Sequence, residues 1–119
     1  MSRAKKTTVN GIVFDSKTEA DYYSILLSRQ ESGEISNLSV QPRFELFKPF
    51  ALRKRKIRGM IYTPDFMYEC NSESHVVEVK GFARPDYLMR RKLFLFMYGE
   101  DYHFHEIKMK GKEFKESVW

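Results

Sequence analysis

The stretch YTPDFMYECNSESHVVEVKG, residues 62–81, decides how this chain folds. Two runs rich in aromatic and β-branched residues flank CNSES, a cluster of turn formers. Strands over residues 61–69 and 75–80 are therefore expected to pair as a hairpin around Asn71 to Ser74. Side chains alternate along a strand, so Val77 and Val79 point to one face while Glu78 and Lys80 point to the other. Either that second face meets solvent or it carries a site. The neighbouring strand brings Asp65 opposite a residue between 78 and 80. Paired with Glu78 or Lys80, Asp65 shares their face; slipped by one residue, it points away.

Working outward, SKTEADYYSILLSRQESG (residues 16–33) opens with Ser16 and Glu19 at capping-box spacing. Ala20, Tyr23, Leu26 and Leu27 recur at helical spacing, and Gly33 is placed to end the helix. NLSVQPRFELF (37–47) sets Val40, Phe44 and Leu46 at alternate positions of a strand, with Pro42 marking an edge or an irregular start. PDYLMRRKLFLFMYG (85–99) predicts a second helix, and DYHFHEIKM (101–109) a last strand. Helix, three strands, helix, strand is the expected order. It implies an α/β fold with a mixed sheet flanked by helices and a right-handed crossover into the final strand.

At 119 residues the chain is expected to be one domain with one modest core. Lys and Arg exceed Asp and Glu by 21 to 16, a moderate basic excess that suits a polyanionic partner. With Cys70 the single cysteine, no intramolecular disulfide can form, and a reducing cytoplasm is the expected setting. MSRAKKTTVNG (1–11) is basic with no apolar run after it, so neither a signal peptide nor a membrane anchor is expected. Residues 1–9 read as a flexible basic arm and 110–119 as a C-terminal tail, whose Trp119 suggests docking on the core or on a second subunit.

Two carboxylates beside an ammonium group on one strand face imply chemistry. Asp65 and Glu78 would repel unless a cation lay between them, and hard oxygen ligands suit Mg²⁺ or Mn²⁺. Such an ion can polarise a phosphodiester and lower the pKa of a bound water, while Lys80 orients that water or offsets developing charge.

Pro64-Asp65, twelve intervening residues, then Glu78-Val79-Lys80 resembles the motif of the PD-(D/E)XK nuclease superfamily. FDSKTEADYY, QPRFEL, YTPDF and VEVKG are more closely similar to a family of small bacteriophage and prophage proteins, itself similar to phage endonuclease I Holliday junction resolvases. The resemblance covers residues 10–108, and its motifs are specific in combination rather than singly. It implies a restriction-endonuclease-like fold and a metal-dependent DNA endonuclease, acting on branched DNA as a homodimer in recombination, repair or packaging. Asp65, Glu78, Lys80 and Glu19 take the catalytic positions. Asp65, Glu78, the backbone carbonyl of Val79 and Glu19 would hold the metal.

Plainer readings stand beside each assignment. A Glu-x-Lys pair can be solvated, Pro64-Asp65 can be a turn, and the capping box alone accounts for Glu19. Arg53, Lys54, Arg55, Lys56 and Arg58, in an acid-free stretch expected as an exposed loop or hairpin, are the first candidates for DNA phosphates, followed by Arg90, Arg91 and Lys92 on the second helix. An amphipathic helix must also expose something, and basic residues serve. His103 and His105 with His75 or Cys70 fit no tight zinc spacing, Gln41 is expected in a structural hydrogen bond, and Tyr22, Tyr23, Phe94 and Phe96 in the core. The alternative functions are a non-catalytic DNA-binding or regulatory module with the same fold, and a protein that binds a host factor.

Overall fold

The computed structural model describes residues 6–80 and 84–119. Residues 1–5 of the expected arm and Gly81 lie outside the described residues. The remainder of that arm is folded. Strand β1 (Thr7–Val9) pairs with β2 (Ile12–Phe14), across Asn10 and Gly11 at φ 52° and 77°. Val9, Ile12 and Phe14 pack on the core under the first helix, which is what pulls this segment out of solvent.

Helix α1 (Lys17–Glu31) starts where the capping box places it, with the Ser16 hydroxyl accepting from the Glu19 N–H at 3.1 Å. It ends in a paired C-cap: Gly33 N–H bonds Gln30 O at 3.0 Å and Glu34 N–H bonds Arg29 O at 2.9 Å. Gly33 sits at φ 85°, a conformation that would strain any residue with a Cβ.

The strand expected over 37–47 is two strands, β3 (Ser36–Val40) and β4 (Phe44–Phe47). Gln41 takes a left-handed φ of 52° and its N–H bonds the carbonyl of Asp65 at 2.9 Å, while Pro42 offers no donor to a ladder. The strand expected over 61–69 breaks at the matching place, Thr63 to Asp65, giving β7 (Met60–Tyr62) and β8 (Phe66–Cys70). Beyond the two breaks, β4 and β7 pair with each other in a sheet of their own. The basic stretch between them is a hairpin, β5 (Phe50–Leu52) and β6 (Arg55–Ile57), with Arg53 and Lys54 at its tip. At the hairpin's neck a Cβ on Gly59 would lie 2.5 Å from the Phe47 carbonyl oxygen, so the two limbs close only around a glycine.

β8 pairs with β9 (Glu73–Val79) around a turn tighter than expected, with only Asn71 and Ser72 between them, both at positive φ. Helix α2 (Pro85–Tyr98) leads to β10 (Tyr102–Lys110), which lies parallel to β9. The expected tail is instead β11 (Glu113–Val118), an antiparallel partner of β10, and the Trp119 N–H extends the ladder to Phe104 O at 2.9 Å.

The main sheet runs β11-β10-β9-β8-β3 and is mixed, with one parallel pair. Its two faces are covered separately. Tyr22, Tyr23 and Leu26 of α1 pack with Phe66, Val77, Val79 and Ile107, whereas Phe94 and Tyr87 of α2 pack with Val76, Phe104, Phe44 and Tyr62. The architecture is thus α/β, a mixed sheet with a helix on each face. Phe96, expected in the core, is 87% exposed because two residues turn it about 200° from the buried Phe94. No helix among the described residues is long and apolar enough to cross a membrane.

Candidate functional site

Asp65 leaves the break at Thr63-Pro64 already held in register. Its N–H donates to Val77 O at 3.0 Å, and Phe66 faces Val77 across the ladder, so Asp65 falls opposite Glu78. This is the register that gathers the two carboxyl groups on one face, the α2 side of the sheet. Asp65 Oδ2 accepts from the Val79 N–H at 2.7 Å, which fixes the carboxyl against the next strand. Glu78, only 5% exposed, accepts from the buried Tyr62 hydroxyl at 2.5 Å, and its other oxygen lies 3.8 Å from Lys80 Nζ. Lys80 Nζ sits 4.5 Å from the centre of the Tyr87 ring. Glu19 reaches the same place from the first turn of α1. Together Glu19, Asp65, Glu78, Val79 and Lys80 line one cleft of about 400 Å³.

The carboxyl groups hold their protons abnormally tightly. Burial, then the charge of Glu78, pushes Asp65 from an ordinary 3.8 up to about 8. Burial, then Asp65 and Asp15, pushes Glu19 up to about 7. Glu78 is raised by burial against the pull of Asp65, Tyr62 and Lys80. Asp65 and Glu78 are near enough to share one proton, and Lys80 alone does not relieve the crowding. Among the described residues no three His, Cys, Asp or Glu side chains close into a ready-made metal cage. An ion between these carboxyls would complete its shell with water and substrate oxygens, which is how Mg²⁺ is commonly held. The donors are hard oxygens whose crowding is otherwise eased by retained protons, so the residues fit such an ion.

The expected phosphate contacts do not lie together. Arg53, Lys54, Arg55 and Lys56 are all exposed on the β5–β6 hairpin, and Arg58 is exposed just after it. The hairpin joins the cleft through β7, whose Ile61 and Tyr62 line it. Arg90 also lines the cleft, bonded to Ile61 O at 3.3 Å and 3.5 Å from Asp86. Arg91 is committed elsewhere: its guanidinium lies 2.6 Å from buried Glu106 and stacks 4.5 Å from the Trp119 ring. Lys92 lies with Trp119 along a different groove, outside the cleft. The three histidines lie on the α1 side of the sheet, away from the carboxyls. His75 Nδ1 is 2.8 Å from His105 Nε2, and His103 pairs with Glu73. Gln41 acts through its backbone, by the bond to Asp65.

Sequence reasoning passed over Tyr62, Tyr87 and Glu106. Glu106 stands directly beside Glu78 in the parallel β9–β10 register. Tyr87 donates to it at 2.5 Å, and Lys108 lies at 3.5 Å. Burial pushes Glu106 up, but the Tyr87 hydroxyl and Arg91 outweigh it and hold the carboxyl below its ordinary value. The available signal was the repeated triplet Glu-Val-Lys at 78–80 and Glu-Ile-Lys at 106–108.

Comparison with known proteins gives little beyond this. No curated protein matches the chain. A solved structure titled "Crystal structure of SSO0001" shares 13% identity and a TM-score of 0.48 over 83% of this chain and 49% of that one, so the chain spans about half of that protein. A family model described as "Protein of unknown function (DUF1064)" matches residues 1–116, and the chain belongs to that family.

Proposed function

We propose that the protein is a metal-dependent DNA endonuclease with a restriction-endonuclease-like fold. The observation that carries this reading is the convergence of Glu19 from α1, Asp65 from the β7–β8 break and Glu78 from β9 on one cleft, the first two raised to about 7 and 8, beside Lys80. Crowded carboxyls of this kind are costly to build and cluster at functional sites. Glu19, Asp65, Glu78 and the carbonyl of Val79 would hold Mg²⁺ or Mn²⁺, which when bound supplies a polarised phosphodiester and a water of lowered pKa. Lys80 orients the attacking water and offsets charge developing on the phosphate. The products would carry 5′-phosphate and 3′-hydroxyl ends. Arg90 at the cleft and the cations of the hairpin hold the DNA backbone. Branched DNA is the preferred substrate, by the resemblance to junction resolvases, and cutting both strands of a junction calls for a homodimer.

The decisive experiment is cleavage of a labelled four-way junction and a matched linear duplex with Mg²⁺ or Mn²⁺, with EDTA, Asp65→Ala and Lys80→Ala as controls. Metal-dependent cutting lost in both variants supports the enzyme, and preference for the junction supports the substrate. Binding without cutting by the wild type makes the protein a DNA-binding module; neither binding nor cutting leaves it a partner of something other than DNA.

A further inference from the structure

The two Glu-x-Lys triplets invite comparison. Glu106 lies opposite Glu78 and Ile107 opposite Val79 on adjacent parallel strands. Both glutamates are 5% exposed, and both accept a tyrosine hydroxyl at 2.5 Å. They differ in what else holds them. Glu78 has a lysine at 3.8 Å, beyond hydrogen-bonding reach, whereas Glu106 also accepts from Arg91 Nη1 at 2.6 Å. Glu106 is therefore a satisfied anion, unsuited to a substrate and well suited to hold a neighbour still.

That neighbour is Tyr87. Its hydroxyl is anchored on Glu106 and its ring lies 4.5 Å from Lys80 Nζ. We propose that Glu106 is a positioning residue which, through Tyr87, fixes the ammonium group of Lys80 in the cleft. A lysine side chain loses much rotamer freedom when held, and among the described residues the Lys80 ammonium group meets Glu78 at 3.8 Å and the Tyr87 ring at 4.5 Å. The anchor is itself anchored, since Arg91 stacks on Trp119, whose N–H closes the ladder to Phe104. The catalytic meaning of this arrangement rests on the endonuclease reading, but the geometry does not.

The test separates the two. In lysine-labelled protein, the ε-CH₂ signal of Lys80, assigned with Lys80→Arg, reports its position above the Tyr87 ring through the ring-current shift. An upfield signal is expected in the wild type, lost in Tyr87→Leu and displaced in Tyr87→Phe and Glu106→Gln. Tyr87→Phe deletes one oxygen and keeps the ring, so it remains informative if Glu106→Gln unfolds. In cleavage assays the same two variants should lose about ten- to a hundredfold in kcat with KM for DNA unchanged. A Lys80 signal unmoved in folded Tyr87→Phe overturns the proposal, as does full kcat in a variant whose Lys80 has moved. If the wild type cuts no DNA, the endonuclease reading fails alone and the signal still decides the positioning.

Discussion

Replacing Asp65 by Asn should stabilise the protein in mild base. Asp65 carries a proton up to about pH 8 in the folded chain, where an unfolded aspartate has lost it near 3.8. A carboxyl raised by folding contributes stability that is present below its unfolded pKa and lost as pH rises through its folded one. Wild-type stability without divalent ions should therefore fall between about pH 4 and pH 9, with Glu19, raised to about 7, adding to the decline. At about 1.4 kcal/mol per tenfold change in proton affinity, the rise in Asp65 from 3.8 to about 8 sets a ceiling of about 6 kcal/mol. Glu78 shares the proton and Lys80 opposes the shift, so about 2 to 3 kcal/mol is expected, roughly 10 °C in Tm for a domain this small. An asparagine amide mimics the protonated acid: it can still accept from the Val79 N–H and donate to Glu78. Urea unfolding in EDTA from about pH 4 to about pH 9 should give nearly matching stabilities at about pH 4 and an advantage for Asp65→Asn that widens towards pH 9. Adding Mn²⁺ at pH 8 should then raise the wild type and leave the variant unmoved. Wild-type stability that is flat with pH, or an Asp65→Asn protein less stable than wild type at pH 9, would refute the reasoning.

Neutralising Arg53, Lys54 and Arg55 to Gln should weaken DNA binding and reduce the salt slope by about 2 to 3, read by anisotropy between 50 and 200 mM salt. Tm should not change, because all three are exposed at the hairpin tip. Phe94→Ala should cost about 3 to 5 kcal/mol in urea unfolding, since Phe94 is fully buried with Phe44, Tyr62, Tyr98, Tyr102 and Phe104 around it; a loss under 1 kcal/mol would mean the α2 side is loosely packed.

What could be read from the chain alone was whatever depends on near neighbours. Ser16, Glu19 and Gly33 mark the ends of α1 because capping is local chemistry, and Val77 and Val79 part from Glu78 and Lys80 by strand alternation. The paired breaks at Gln41 to Arg43 and Thr63 to Asp65 were signalled only by Pro42 and Pro64. That they lie side by side depends on the bond from Gln41 to Asp65, and the separate sheet on pairs such as Phe44 with Tyr62, contacts that no local pattern announces. Asp65 could be placed on either face until its register with Glu78 was known. Arg91 looked like a phosphate ligand because nothing near it in sequence announces Glu106, which arrives from the far side of a crossover. The C-terminal segment lacks strong alternation and becomes a strand because β10 offers it an open edge.

The residues that make up the β5–β6 hairpin contribute nothing to either cluster of buried side chains. Its length, charge and curvature can drift, or be exchanged wholesale with another loop, without disturbing the ladder that fixes Asp65 against Val79. In the endonuclease reading, the passage that would hold DNA and the passage that gathers the acids are thus separable parts of the chain, and either could be altered while the other is kept.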